Sequence, residues 1–509
     1  MKLTIAGQID ANAATNPNGV WLTSPDTGQV VTWQEVADRA HEISCHLFAF
    51  DLPSGASVAV AAQNSIGSCL AFAGITYGAY LATPLNLVAG AKVLSYVINH
   101  SGVTVILVSD DHRTLIEDAI SSVDRSITLI RLDTTAGPEW PLDMQTDHVQ
   151  RNVPSAETPG LLMYTSGTTG NPKGVILTHR NLLAAGNNVV TGHDITTSDT
   201  AMCVLPIYHI NGLCVTVIGT LVSASGLVMP HRFSSSGFWR QVQNNKVSWF
   251  SAVPTLFAYL LNDETPINID RNRLRFARSA SAPLSPEIHR QFEDRFGIPI
   301  IETMGLTETG AQILSNPMPP ATRKIGSSGV AVGNEIMIGD ESQKLVPTNQ
   351  TGEILVRGDN VMQGYLNQPE ETAKTLTAEG WLRTGDLGHM DEDGFVFVTG
   401  RIKELIIKGG ENIAPREVDE VLLEDEAVLE AAAFAVPCDN YGQRVEAGIR
   451  LKPGRHVSLD ELTAYCVARL GKFKSPDVIH ILDDLPKGPS GKVQRLKLFE
   501  MVHGNASQT

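Results

Sequence analysis

Residues 164–175, Tyr-Thr-Ser-Gly-Thr-Thr-Gly-Asn-Pro-Lys-Gly-Val, gather in one short stretch the groups that bind phosphate. Gly167, Gly170 and Gly174 permit tight turns that present backbone N–H groups. Thr165, Ser166, Thr168 and Thr169 add hydroxyl donors, and Lys173 adds a charge. Such a loop can cradle a polyphosphate. Its spacing is not the Walker pattern, because no Gly-Lys-Ser/Thr closes it. A flexible linker has a similar composition, but the apolar, strand-like Leu161-Leu-Met163 ahead of it and the single Pro-Lys-Gly exit argue for a built loop. The following Leu177–Leu183 reads as a helix.

Elements of two kinds must position this loop. Thr32-Trp-Gln-Glu35 is a capping box, and behind it Val36, Ala40, Ile43 and Leu47 recur at helical spacing. Ala56–Ala61, Val103–Val108 and Ala201–Pro206 read as buried strands separated by helical material. Strands alternating with helices predict a mostly parallel, doubly wound α/β sheet. Nearer the carboxy terminus, Pro415 opens a helix with Val418, Val421 and Leu422 on one face. Strands over Leu429–Val436 and Val445–Leu451 follow, then a Ser458-capped helix carrying Leu462, Tyr465 and Leu470, which together predict a small α+β domain.

A chain of 509 residues is long enough for two or three domains. A formal net charge of −16 argues against nucleic acid or an anionic membrane as partner, so attraction of an anionic substrate must be local. The six cysteines form no Cys-x-x-Cys pair, which predicts neither a zinc site nor a disulfide framework and fits a reducing cytoplasm. The amino terminus lacks the apolar core of a signal peptide, and Asn505–Thr509 is not a Ser-Lys-Leu address. The uncharged run Ile66–Ala89 has the length of a membrane span. Its Gly67, Gly74, Gly78, Pro84 and Asn86 suit a helix, a turn and a buried strand better.

The loop and the motifs after it resemble, in order, those of the acyl-adenylate-forming (ANL) superfamily of acyl-CoA synthetases, peptide-synthetase adenylation domains and firefly-type luciferases. The resemblance covers nearly the whole chain. It implies a large amino-terminal domain with doubly wound, mostly parallel sheets (1–399), a hinge (400–403) and a small mobile α+β lid (404–509). The implied reaction joins a carboxylate to ATP, releasing pyrophosphate, and passes the acyl group to coenzyme A, with Mg²⁺ as cofactor. Thr165 to Gly170 and Lys173 would hold the phosphates. In Phe276–Leu284, Ser281-Ala282-Pro283 takes the place of the adenine-flanking loop, which usually has more glycine. In Glu302-Thr-Met-Gly-Leu-Thr-Glu308, Glu302, Thr303 and Met304 would flank the base, with Met304 where the family usually has a stacking Tyr. Thr307 would bond phosphate and Glu308 would hold Mg²⁺, although a Thr cap with an acidic first turn accounts for the pair locally. Asp386 would accept both ribose hydroxyls and Arg401 would contact ribose and α-phosphate. Lys403 would be the hinge, Lys408-Gly409-Gly410 the side of the lid offered to coenzyme A, and Lys492 the catalytic lysine of adenylation.

For the acid, Ser315–Gly326 looks closest to the oxalyl-CoA synthetase branch, whose substrate is small and strongly acidic. A polar pocket with a cation for a second anionic group is then expected. His209, Asn211, His231, Arg232, Arg278 and Ser281 are its candidates, and sulfoacetate and malonate are alternatives to oxalate. An aryl or fatty acid is a further alternative. A non-catalytic adenylate-binding module without turnover is the reading from a different class; the joint presence of Glu308, Asp386, Arg401 and Lys492 speaks against it.

Overall fold

The computed structural model describes residues 3–141, 150–165, 171–263, 269–487 and 493–504. Among these, no helix is long and apolar enough to cross a membrane. The run 66–89 is the buried helix Ile66–Tyr77, a turn at Gly78 and the buried strand Leu81–Pro84, as its glycines and proline predict.

Two large sheets form the amino-terminal region. In one, Leu81–Pro84, Ser57–Ala61, Val105–Val108 and Thr128–Asp133 run parallel. In the other, Val20–Thr23, Gly226–Val228, Thr200–Cys203, Trp249–Ala252, Phe276–Ser279 and Ile300–Leu306 do so. Both faces of such sheets are covered by helices, so their strands are apolar throughout rather than alternating. The helix Trp33–Phe48 has both arms of its capping box: Thr32 Oγ1 accepts from Glu35 N, and Glu35 Oε2 accepts from Thr32 N at 2.7 Å. Val36, Ala40, Ile43 and Leu47 are all buried on its inner face.

A third sheet, antiparallel, is formed by Glu335–Gly339, Gly352–Arg357, Leu382–Met390 and Val396–Arg401. A short turn, Ile402–Glu404, then leads into a separate five-stranded sheet with the helices Pro415–Leu423, Leu459–Lys474 and Arg495–His503. This carboxy-terminal unit has its own core around Val418, Leu422, Val445, Ala447, Leu462 and Ile479.

One local expectation is corrected. Leu177 and Thr178 end a strand, Lys173–Thr178, and the helix starts only at His179, capped by Thr178. That strand pairs antiparallel with Pro159–Thr165, with Thr165 opposite Lys173. The strands Pro159–Thr165 and Lys173–Thr178 therefore pair antiparallel on either side of the glycine-rich stretch, whose residues 166–170 lie outside the described residues.

Candidate active site

A cavity of about 290 Å³ lies between the large region and the lid. Ser281, Ala282 and Pro283 line it together with Glu302, Thr303, Met304, Asp386 and Arg401. From the lid come Arg416, Asp419, Val493 and Arg495. Three sequence-distant stretches expected to hold adenine, ribose and α-phosphate thus face one space.

Local structure explains how. Ser281 follows the strand Phe276–Ser279 in the left-handed region, φ 73°, a conformation glycine adopts without cost. Its hydroxyl accepts from Asn211 Nδ2 at 3.0 Å, which helps hold a serine where the family usually has glycine. Thr303 Oγ1 donates to Ser279 O at 3.1 Å and ties the two cavity walls together. Glu302 is buried, accepting from His289 Nδ1 and from Gly326 N, each at 3.0 Å. Two glutamates around His289 outweigh its burial and raise its pKa: Glu293 Oε1 accepts from Nε2, also at 3.0 Å.

Asp386 and Arg401 are cross-strand partners in the third sheet, and Arg401 Nε lies 2.7 Å from Asp386 Oδ1. Asp386 is the main cause that raises the Arg401 pKa, with Glu404 and Glu308 adding to it. The carboxylate expected at ribose and the cation expected at the α-phosphate therefore sit side by side by strand register.

Glu308 lies in the turn Thr307–Thr309, outside the cavity lining, and accepts from Tyr365 Oη at 2.9 Å. Lys173 Nζ sits 5.0 Å from the centre of the Tyr365 ring and 2.5 Å from Glu371 Oε2. Burial and the Glu308 charge push the Tyr365 hydroxyl up, so it stays a proton donor to that carboxylate. Gly364 and Tyr365 pair with Ile176 and Val175 on the strand Lys173–Thr178, which carries Tyr365 to the expected metal carboxylate and the loop lysine at once. The half-buried Glu308 oxygens, held by a neutral phenol, suit a hard cation such as Mg²⁺.

The acid-side candidates divide. Arg278 is 1% exposed on the strand Phe276–Ser279. Its guanidinium donates to Asn211 Oδ1 and Ser251 Oγ, both at 3.0 Å, and to Gln312 Oε1 at 3.2 Å. Ser251 is its register partner on the adjacent strand, and Asn211 opens a π-helical turn, Asn211–Ile218, of the kind that recurs at functional sites. All three acceptors are neutral, and no carboxylate pairs with Arg278 among the described residues. Burial pushes its pKa down to about 9, which leaves it charged at neutral pH. Half-buried His209 packs on Tyr208, ring centres 4.9 Å apart, two residues from Asn211. Arg232 is exposed and His231 donates its backbone N–H to Asp26; of the acid-side candidates only Ser281 lines the cavity, whereas His209, Asn211, His231, Arg232 and Arg278 do not. Ser251, Gln312 and Tyr365 were missed from the sequence, since only strand register brings them to the site.

On the lid, Lys403 is exposed in the turn Ile402–Glu404, and Gly409 and Gly410 are exposed at positive φ, 58° and 87°. Lys408 is buried, 3.2 Å from Asp477 Oδ2 and over the rings of Tyr441 and Phe473. None of the four lines the cavity; the Val493–Arg495 side of the lid does. Ser166, Gly167, Thr168, Thr169, Gly170 and Lys492 lie outside the described residues.

Residues 9–366 match the AMP-binding enzyme family, and residues 417–492 match the AMP-binding enzyme C-terminal domain. The chain belongs to this family. It is 42% identical over 501 residues to a sulfoacetate–CoA ligase of Cupriavidus necator, covering 97% of both chains. It is 35% identical over 451 residues to an oxalate–CoA ligase of Arabidopsis thaliana, covering 87% of both. Among solved structures, it superposes on o-succinylbenzoate CoA synthetase from Bacillus subtilis in complex with its acyl-adenylate, with TM-score 0.86, 29% identity and coverage of 96% and 97%. The protein is thus an AMP-forming acid–thiol ligase of the acyl-CoA synthetase class, which uses ATP, Mg²⁺ and coenzyme A.

Proposed function

We propose that the acid is a short carboxylate bearing a second strong anion, sulfoacetate before oxalate. The observation that carries this is Arg278, a buried guanidinium whose described partners are all neutral. Burying a charge without an opposite charge is costly, and a substrate anion that shares the site recovers part of that cost. The second anion of the acid is taken up on the Arg278 side of the Asn211–Ser251–Ser281 network, which leaves the carboxylate directed to the nucleotide beside His209. Sulfoacetate separates its two anionic groups by a methylene, whereas in oxalate they are directly bonded. The sulfoacetate–CoA ligase relative favours the longer spacing, and the oxalate–CoA ligase relative keeps oxalate as the second reading.

In this reading the acid carboxylate attacks the α-phosphorus of ATP and pyrophosphate leaves. Asp386 holds the ribose, Ser281–Pro283 and Glu302–Met304 flank the base, and Thr307 bonds phosphate. Negative charge that grows on the α-phosphoryl oxygens meets Arg401, Lys173, the loop Thr165–Gly170 and Lys492. Glu308 would hold Mg²⁺, whose charge offsets that of the departing pyrophosphate. The lid then turns about 400–403, withdraws Lys492 and brings Lys408–Gly410 to the site, where the coenzyme A thiolate displaces AMP.

The test is pyrophosphate release and thioester formation with sulfoacetate, oxalate, malonate, acetate, an aryl acid and a long-chain fatty acid. Turnover confined to the dianionic acids is expected, with sulfoacetate first. Equal or better turnover of acetate, aryl or fatty acids discards the Arg278 reading.

A further inference from the structure

A second cluster of ligating groups lies in the lid, away from the nucleotide cavity. Glu446 is fully buried on the strand Gly442–Leu451. Its Oε2 accepts from His480 Nε2 and from His503 Nε2, each at 2.8 Å. His480 belongs to the neighbouring strand Val478–Ile481, and His503 is the last residue of the helix Arg495–His503. The other carboxylate oxygen, Oε1, accepts from Arg444 Nε at 2.9 Å and Nη2 at 2.5 Å. The three ligand atoms all lie within 4.8 Å of one another.

We propose that Glu446, His480 and His503 form a binding site for a divalent transition metal of the zinc type, distinct from the Mg²⁺ that accompanies ATP. Two imidazole nitrogens and one carboxylate oxygen are a zinc-type donor set, and a fourth position is left for water. A hard cation such as Mg²⁺ prefers an all-oxygen shell, so the cluster discriminates between the two metals. The spacing is close to what the ion needs. Tetrahedral bonds of about 2.0–2.1 Å put ligand atoms about 3.3 Å apart, so the two 2.8 Å contacts need to open by about 0.5 Å.

The surroundings are those of a supported site. Arg444 fixes Oε1 and so aims Oε2 at both imidazoles, the role that outer partners play around metal-bound carboxylates. Both histidines are about one-quarter exposed, which gives an ion a path from solvent. Phe434 packs 6.3 Å from the His480 ring and 6.5 Å from that of His503, and Phe499 lies 5.3 Å from His503, limiting how the rings can turn.

The site bears on the lid's geometry. The helix Arg495–His503 begins three residues after Lys492, and its first residue is held by Asp419, Glu404 and Ala433 O. A metal on Glu446, His480 and His503 ties the far end of the same helix to two strands of the lid sheet, so both ends of the helix that follows Lys492 in the chain are fixed.

The test uses the full chain without an affinity tag, treated with a chelator and then titrated with Zn²⁺ in the absence of ATP. Co²⁺ serves as spectroscopic probe. Expected are one Zn²⁺ per chain, a raised melting temperature with Zn²⁺, and intense tetrahedral Co²⁺ bands. His503→Gln and His480→Gln each weaken Zn²⁺ binding by more than about tenfold, and Arg444→Ala weakens it by about tenfold. His503→Gln, at the end of the final helix, keeps the fold testable by its unchanged melting temperature without metal. Zn²⁺ binding of unchanged affinity and stoichiometry in a His480→Gln/His503→Gln double variant overturns the proposal. So does a wild-type chain that binds no Zn²⁺, or binding that is lost only on replacing the cysteines.

Discussion

Arg278, buried in the large region, and Arg495, half-buried in the lid, are solved in opposite ways. Arg278 meets three neutral oxygens, and burial lowers its pKa to about 9. Arg495 is partly shielded from solvent too, but Asp419 and Glu404 outweigh that and raise its pKa. The lid cation is balanced inside the fold and joins helix Pro415–Leu423, the strand carrying Ala433 and the carboxy-terminal helix. The cation at the acid side is not balanced by the described chain. A compensated buried charge specifies structure; in the proposed function the uncompensated one is a recognition element whose partner arrives with the substrate.

The largest effect expected is on the balanced cation. Arg495→Met leaves Asp419 buried without its partner, and lid stability falls by about 3–5 kcal/mol. Limited proteolysis should then cut within 404–509 while the large region remains intact; uniform resistance would mean that the pair contributes little. Next comes the residue that the balanced helix supports. Lys492→Ala should lower pyrophosphate release by about 10²–10³-fold, the cost of losing one aimed charge, while coenzyme A still reacts with supplied adenylate. An equal loss in both half-reactions would detach Lys492 from adenylation.

For the uncompensated cation, Arg278→Met should reduce kcat/KM for the dianionic acid by about 30-fold or more, following the about 2–5 kcal/mol cost of truncating a buried charge pair. Weak acetate turnover should change far less. If both acids lose equally, Arg278 is structural and the contrast with Arg495 collapses. Tyr365→Phe removes one hydrogen bond to Glu308, worth about 1.5–3 kcal/mol for a charged acceptor. The Mg²⁺ concentration for half-maximal rate should rise about tenfold, with little change in the KM for the acid.

One effect is absent at neutral pH and appears only in acid. His179 and His193 are buried and neutral, burial pushing them down to about 4 and about 3. For His193, the nearby Arg278 charge acts in the same direction. Unfolding returns both to about 6.5, so the unfolded chain binds more protons. Their contribution is whole above pH 6.5 and is lost as pH falls toward 4. Melting temperature should decline over that interval, and less steeply in His193→Phe. An identical slope would show that other groups set the acid limit.

The elements themselves were readable because their causes are local. The capping box at Thr32–Glu35, the apolar faces behind Thr32 and Pro415, and the turn residues inside 66–89 each act within a few residues, and each appears where it was expected. The reading of Leu177 as helical failed for a non-local reason. The 173–178 segment is held in strand form by Pro159–Thr165 on one side and by Gly364–Tyr365 on the other, and neither partner is visible in a window around it.

The same division runs through the site. Sequence alone determined the superfamily and picked out the phosphate-loop stretch, Glu308, Asp386, Arg401 and Lys492 as candidates, because motif order and residue type are properties of the chain. Only the tertiary structure decided that Asp386 and Arg401 are opposite in register, that Tyr365 joins Glu308 to Lys173, and that Arg278 meets only neutral acceptors among the described residues while Arg495 meets carboxylates. It also decided that Glu446, His480 and His503 meet, from positions 34 and 57 residues from the glutamate. Charge compensation depends on distance and burial in three dimensions, and neither quantity is written in the order of residues along a chain.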